Sequence, residues 1–321
     1  MPKERILLLD CWVSILMILV IAGHGMFDFA PSWYVRLHTW IYSFHMGAFY
    51  FAAGFLVHLN CRPINSWHDY WCYEKKKLMK FGIPFVFLGV LGSALAVWQR
   101  HGGVSDFRHA LFLLFAAPSA SKVIYLWFIY VLFLFYLFAP VFCQYCRSHS
   151  WLLLLGSILL SQLPLPHWLA GNCFAKFLVF FIAGTIAQKY WEKTTRFLGA
   201  ISIITIPVFL YCSIFQAGKL PYLCSGFLAL PCLYWLCKLF MTCGNAWTNN
   251  CYTLISMNCF SIYLYQMIFL NLLALLWKRL PAPSSCFILF LLLGIVLSIA
   301  GSILFAFLLR KLSCRCKMFC A

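Results

Sequence analysis

Apolar residues fall into long, nearly unbroken runs, not into the alternation of a half-buried strand or the three-to-four spacing of a surface helix. A run of about 20 apolar residues is what an α-helix needs to cross a bilayer. The pattern predicts about ten such helices: Ile6–Phe27, Trp40–Leu59, Phe81–Trp98, Ile124–Phe142, Trp151–Leu163, Phe174–Gln188, Phe197–Phe215, Tyr222–Phe240, Tyr252–Leu276 and Phe287–Leu309. The fifth is short because Pro164 and Pro166 stop it. Ala110–Ala117 is too short to cross and reads as a re-entrant or interfacial piece. The first run lacks a convincing small-residue cleavage site and contains Asp10 and His24, so it is expected to be retained as a span.

Composition sharpens this reading. The chain of 321 residues is 64% hydrophobic and only 10% charged, too few charges to cover a water-facing surface. Soluble and disordered chains are excluded, and continuous runs do not suit a transmembrane barrel, whose strands alternate. The fold class is all-α: a polytopic membrane helix bundle forming a single domain over 1–321. Lys and Arg number 24 against 7 Asp and Glu. A basic balance can indicate nucleic acid, but basic residues between apolar runs are what orient a membrane protein, so no nucleic-acid partner is expected. With the N- and C-termini both cytoplasmic, sixteen basic residues lie inside and eight outside. The inner set includes Lys75, Lys76, Lys77, Lys80, Arg147, Lys189, Arg310 and Lys311, and the outer set Arg36, Arg100, Lys278 and Arg279. Most of the 17 cysteines sit inside apolar runs, where the thiol packs as a small hydrophobe. Cys143-x2-Cys146 and Cys314-x-Cys316-x3-Cys320 lack a second half at zinc-site spacing, so no metal is expected.

Ionisable groups within apolar runs are the functional candidates. Asp10 and His24 fall on the first run, His45 and His58 on the second. No charge occurs from Leu239 to Trp277, and Asp10 is the single carboxylate within a span, which disfavours a cation-coupled transporter. His24 lies in Gly23-His24-Gly25, where the glycines admit close approach of a helix or ligand. A lone helical histidine is commonly satisfied by a carbonyl. The functional reading is a general base that takes a hydroxyl proton near neutral pH, or a group that carries an acyl itself. Lys77 and Lys80, three apart, share a face if the segment is an α-helix. Two ammonium groups there would hold the phosphates of a nucleotide-containing donor, while the plainer reading is a topogenic, headgroup-binding patch.

Taken together, these residues resemble the membrane-bound acyltransferase-3 family of O-acyltransferases. The first block runs from Arg5 through Leu9-Asp10 to Val20-Ile21-Ala22-Gly23-His24. The second is Ser43-Phe44-His45-Met46 to Gly54-Phe55. The third is Lys77-x-x-Lys80 followed by Ile83-Pro84-Phe85, and the fourth is Tyr125-Leu126-Trp127-Phe128-Ile129-Tyr130-Val131-Leu132. Phe180-Phe181-Ile182-Ala183-Gly184 and Ser261-Ile262-Tyr263-Leu264-Tyr265 continue the likeness along essentially the whole chain. The resemblance implies transfer of an acyl group, usually acetyl from acetyl-CoA as co-substrate, to a hydroxyl of a cell-envelope carbohydrate or glycolipid, in a bacterial inner membrane. It places the catalytic role on His24 and binding of the acyl-CoA phosphates on Lys77 and Lys80. Asp10, His45, Tyr125 and Trp127 are supporting candidates, the last two as donors to an oxyanion. The chain departs from the family pattern at Val13, where a basic residue is usual, and at Tyr125 and Gln266, where the family has histidines.

Three other readings stand beside this one. A permease or flippase-like transporter of a lipid-linked sugar would use the many aromatics to line a path. A catalytically inactive homologue would keep the bundle alone. A different membrane acyltransferase fold, with a buried His and Asn on late spans, fits poorly because the late spans carry Asn258 and Asn271 but no His.

Overall fold

The computed structural model describes residues 7–61, 64–121, 123–215, 220–280 and 284–316. Lys3, Arg5, Ile6, Arg62, Lys122, Lys219, Lys317 and Cys320, on which parts of the span, charge and cysteine readings fall, lie outside them. Among the described residues the regular structure is helical, with no strand. The α-helices are α1 (Leu7–Gly23), α2 (Ser32–Tyr42), α3 (His45–Asn60), α4 (Trp67–Lys77), α5 (Ile83–Gln99), α6 (Val104–Ala116) and α7 (Trp127–Gln162). They continue with α8 (Gly171–Lys189), α9 (Trp191–Phe215), α10 (Tyr222–Cys243), α11 (Ala246–Met257), α12 (Cys259–Trp277) and α13 (Phe287–Cys316). One π-helical turn, Leu78–Gly82, joins α4 to α5.

Eight helical stretches among the described residues are long and apolar enough to cross a membrane by length and composition. Hydropathy along the sequence predicts about ten, and two differences account for the gap. α1, at 17 residues, falls just under the length of the others. The expected fourth and fifth spans run together as the 36-residue α7, interrupted where His149 leaves helical geometry (φ −127°, ψ 43°). Elsewhere the boundaries move. α2 starts at Ser32, so residues expected in a loop are helical. The expected ninth span breaks at Asn258 into α11 and α12. The Asn258 amide donates to the Leu254 carbonyl at 2.9 Å and holds that break. Ala110–Ala117 lies largely within the 13-residue α6, where Leu114 packs over Gly89 of α5.

The helices gather into two compact units, Met1–Ala52 with Thr195–Ala321, and Ala53–Thr194. In the first, α1 is packed by α2, α10, α11, α12 and α13. That explains a helix apolar on every side, because such a helix has no face to offer to water. Trp12, Leu16, Met17 and Ile21 are almost fully enclosed. Cys11 of α1 meets Cys237 of α10 thiol to thiol, both as buried packing residues. Toward the end where α1 finishes, Phe29, Tyr34, Leu270, Trp277, Phe287 and Phe290 form a tight cluster.

In the second unit α7 packs along α8, and α3 approaches α8 closely enough that a Cβ on Gly54 would overlap the Phe181 carbonyl. Only glycine permits that approach. The His149 kink frees helix carbonyls to take side-chain donors, and the Ser150 hydroxyl already donates to that of Cys146 at 2.6 Å. Lys189, at the end of α8, takes them up: its ammonium donates to the carbonyls of Cys146 (2.8 Å) and Arg147 (2.9 Å) and to the Ser150 hydroxyl (3.0 Å).

Candidate active site

The site is built on the junction between α1 and α2. α1 ends at Gly23, and the Tyr34 hydroxyl caps its last turn by donating to the carbonyls of Ala22 and Gly23. His24 is the next residue. Its neighbours are glycines for a steric reason: a Cβ on Gly23 would come within 2.9 Å of the Tyr42 ring, and one on Gly25 within 3.0 Å of the Tyr34 hydroxyl. The loop beyond is tied down along its length. Asp28 pairs with Lys278 at 2.7 Å, Ser284 donates to the Phe29 carbonyl at 2.8 Å, and Phe27 and Phe29 pack edge-on against Phe290. The Lys278 ammonium, by its hydrogen bond first and its charge second, holds the exposed Asp28 carboxyl below the usual carboxylate range.

Around His24 stand residues that the sequence pattern did not single out. The Tyr42 hydroxyl is 3.5 Å from His24 Nδ1. That is long for a hydrogen bond, as such contacts commonly are before a substrate closes them. The same tyrosine ring stacks on His38 (centroids 4.1 Å, 27° between planes) and meets His45 edge-on at 4.8 Å. Three imidazoles thus surround one phenol. His38 was missed because it lies before the expected span Trp40–Leu59, and Tyr42, inside that span, because an aromatic there reads as packing. Their four-residue spacing puts both on one face once α2 is helical.

His45 is buried at the break between α2 and α3. Its Nδ1–H donates to the Ile41 carbonyl at 2.7 Å, which leaves the lone pair of the neutral ring on Nε2. The break itself is pinned from α10: Ser225 donates to the Ser43 carbonyl at 2.7 Å, and the Gly47 amide donates to the Tyr222 hydroxyl at 2.8 Å. Asp10 is placed elsewhere. Fourteen residues of chain separate it from His24, about 21 Å along a helix. There it is buried, with Thr253 of α11 donating to it at 3.4 Å. Val13 is buried on α1, and Gln266 is fully enclosed on α12.

The remaining candidates belong to the second unit. Lys77 closes α4 with its ammonium 4.1 Å from the centre of the Tyr136 ring and 5.2 Å from that of Tyr73. Lys80 is exposed. The two stay within electrostatic reach of each other. The π-turn begins directly after Lys77 and contains Lys80, so the spacing between the two is not that of a regular α-helix. Trp127 opens α7 with its ring stacked on Phe177 at 5.5 Å, and Tyr125 is half-buried in the turn before it. Among the described residues no group of three or more His, Cys, Asp or Glu side chains converges as metal ligands would.

A bundle of helices this long and apolar defines an integral multi-pass membrane protein. A family model described as an acyltransferase domain matches residues 8–307, nearly the whole chain, and the protein belongs to that family, the membrane-bound acyltransferase-3 family. No curated protein and no solved structure matches it.

Proposed function

We propose that the protein is an O-acyltransferase of a bacterial inner membrane, moving an acetyl group from acetyl-CoA to a hydroxyl of a cell-envelope carbohydrate or glycolipid, with His24 as the general base. One observation carries this reading: His24 follows directly on an apolar helix, held by a tethered loop, with the Tyr42 hydroxyl 3.5 Å from its Nδ1. An imidazole so placed takes a proton at Nε2 while Nδ1 faces a hydroxyl that steadies the imidazolium.

The step balances simply. The acceptor oxygen attacks the thioester carbonyl, the new C–O bond forms and the C–S bond breaks. The hydroxyl proton passes to His24 and from there to the departing thiolate. Lys77 and Lys80 supply positive charge for the donor's phosphates, Lys80 as the more accessible of the two. Lysine acts there as a point charge without the bidentate geometry of arginine. Tyr125 and Trp127 are proposed donors to the oxyanion of the tetrahedral intermediate.

The test is mass spectrometry of envelope polysaccharides and glycolipids from cells with the protein, without it, and with His24→Ala. Sugars carrying one extra acetyl mass should appear with the wild type and vanish with His24→Ala at equal protein level. Acetylation that survives His24→Ala overturns the mechanism, and no difference between presence and absence overturns the reaction.

A further inference from the structure

Proton transfer by His24 leaves His45, the first residue of α3, without a part in the reaction. His45 is 4% exposed, and its Nδ1–H is committed to the Ile41 carbonyl at 2.7 Å. The break that carries it is pinned by Ser225 and Tyr222 of α10, so the ring is held before any substrate arrives. Its Nε2 has no hydrogen-bond partner among the described residues, yet it is not sealed off. The ring nitrogen that is both unpaired and sealed is Nδ1 of His58, whereas Nε2 of His45 and Nε2 of His24 are unpaired and reachable. The rings beside them are open too: Tyr42 is 39% exposed, and His24 and His38 are partly exposed.

The bond to Ile41 fixes what His45 can do. With its one proton on Nδ1, the neutral ring offers only a lone pair at Nε2. It accepts from an O–H or an N–H. It can neither polarise the thioester carbonyl nor protonate the departing thiolate. The attacking hydroxyl gives its proton to His24, so His45 needs a second donor close to that hydroxyl. The ring centres of His24 and His45 lie 6.5 Å and 4.8 Å from that of Tyr42, and both imidazoles therefore border one phenol. Two polar groups on adjacent carbons, each making a hydrogen bond of about 2.8 Å, suit two nitrogens held that closely. A carbohydrate supplies such pairs around its ring, as a hydroxyl beside a second hydroxyl or beside an acetamido N–H.

We infer that His45 Nε2 accepts a hydrogen bond from the acceptor, given by the hydroxyl or amide N–H on the carbon next to the hydroxyl that is acylated. The inference rests on the proposed transfer from acetyl-CoA to a carbohydrate and adds the residue that selects the acceptor. His45 then decides which hydroxyl His24 meets. An alcohol with no donor on the neighbouring carbon leaves a buried lone pair unmatched, which a site built for a hydrogen bond penalises.

The experiment uses the full chain in detergent-permeabilised membranes, which carry their own acceptor, with acetyl-CoA labelled in the acetyl group. It compares the wild type with His45→Asn and His45→Gln at equal protein level. An asparagine amide takes the place of Nδ1 and keeps a donor for the Ile41 carbonyl, but does not reach as far as Nε2. A glutamine amide reaches the place of Nε2. Transfer to carbohydrate should fall about tenfold in His45→Asn, the worth of one hydrogen bond to a buried group, with KM for acetyl-CoA unchanged. His45→Gln should keep most of the rate. NMR of the wild-type product should place the ester beside a carbon that bears a free hydroxyl or an amide N–H, and shows which of the two it is. His45→Asn no slower than His45→Gln marks a purely structural role and overturns the inference. A raised KM for acetyl-CoA, which would put the hydrogen bond on the donor, overturns it too, as does an ester with no donor on either neighbouring carbon. A wild type that labels no carbohydrate overturns the acyltransferase reading itself, a different and separable result.

Discussion

At the scale of single residues, the candidate site is an imidazole cluster organised by one phenol. Tyr42→Phe keeps the ring that stacks on His38 and removes only the hydroxyl facing His24. Transfer should slow about tenfold, the worth of one hydrogen bond to a group that becomes charged, with KM for acetyl-CoA unchanged in steady-state assays. Asp28 tests the tether of the His24 loop. Its folded carboxyl lies below its ordinary range because Lys278 is its partner. A depressed carboxyl stabilises the fold above its unfolded value and loses that contribution as pH falls. A melting difference between wild type and Asp28→Asn should therefore be present at neutral pH and fade below about pH 4. It should be small, because the pair is exposed. His24 itself could be singled out in the sequence as a candidate, because an ionisable residue stands out in an apolar run. His38 was not, because Trp33–Thr39 mixes Arg36, His38 and Thr39 with aromatics and carries no run that announces a helix, and Tyr42, although within the expected span Trp40–Leu59, reads as one more packing aromatic.

At the scale of elements, breaks matter more than helices. The α2–α3 break exposes the Ile41 carbonyl that orients His45, and the kink at His149 exposes the carbonyls that Lys189 gathers. Lys189→Met preserves the aliphatic stem and removes the donor to the Arg147 carbonyl, while the Cys146 carbonyl keeps the Ser150 hydroxyl at 2.6 Å. It should cost about 1–3 kcal/mol, visible as a lowered melting temperature in detergent, while an exposed control such as Lys193→Met should change little. Hydropathy located the spans well because membrane length fixes the length of each run. It placed the breaks poorly. The π-turn after Lys77, the Asn258 break, which a local hydrogen bond holds, and the merging of two expected spans in α7 are features of hydrogen-bonded backbone. Such bonds leave no mark on a pattern of apolar and polar positions. The basic pair shows the consequence, since a shared face for Lys77 and Lys80 presumes α-helical spacing between them.

At the scale of the whole molecule, the family match covers nearly the full chain, and the helical architecture agrees with the hydropathy. The orientation deduced from charge is open to a direct check. Fluorescent-protein and alkaline-phosphatase reporters fused after Lys311 should be fluorescent and inactive respectively, as cytoplasmic fusions are. The same reporters inserted at Gly102 should behave in the opposite way. A reversed pattern would put the sixteen-to-eight division of basic residues on the wrong sides of the membrane.

The tethered loop beyond α1 has one more consequence. Asp28 is held by Lys278 and the Phe29 carbonyl by Ser284, while Tyr34 closes the helix end just before His24. The entropy of fixing the imidazole is therefore surrendered once, when the protein folds, and not again at each encounter with substrate. Mutations that loosen these tethers without touching His24 should show their effect in the activation entropy of transfer and leave its activation enthalpy nearly as it was.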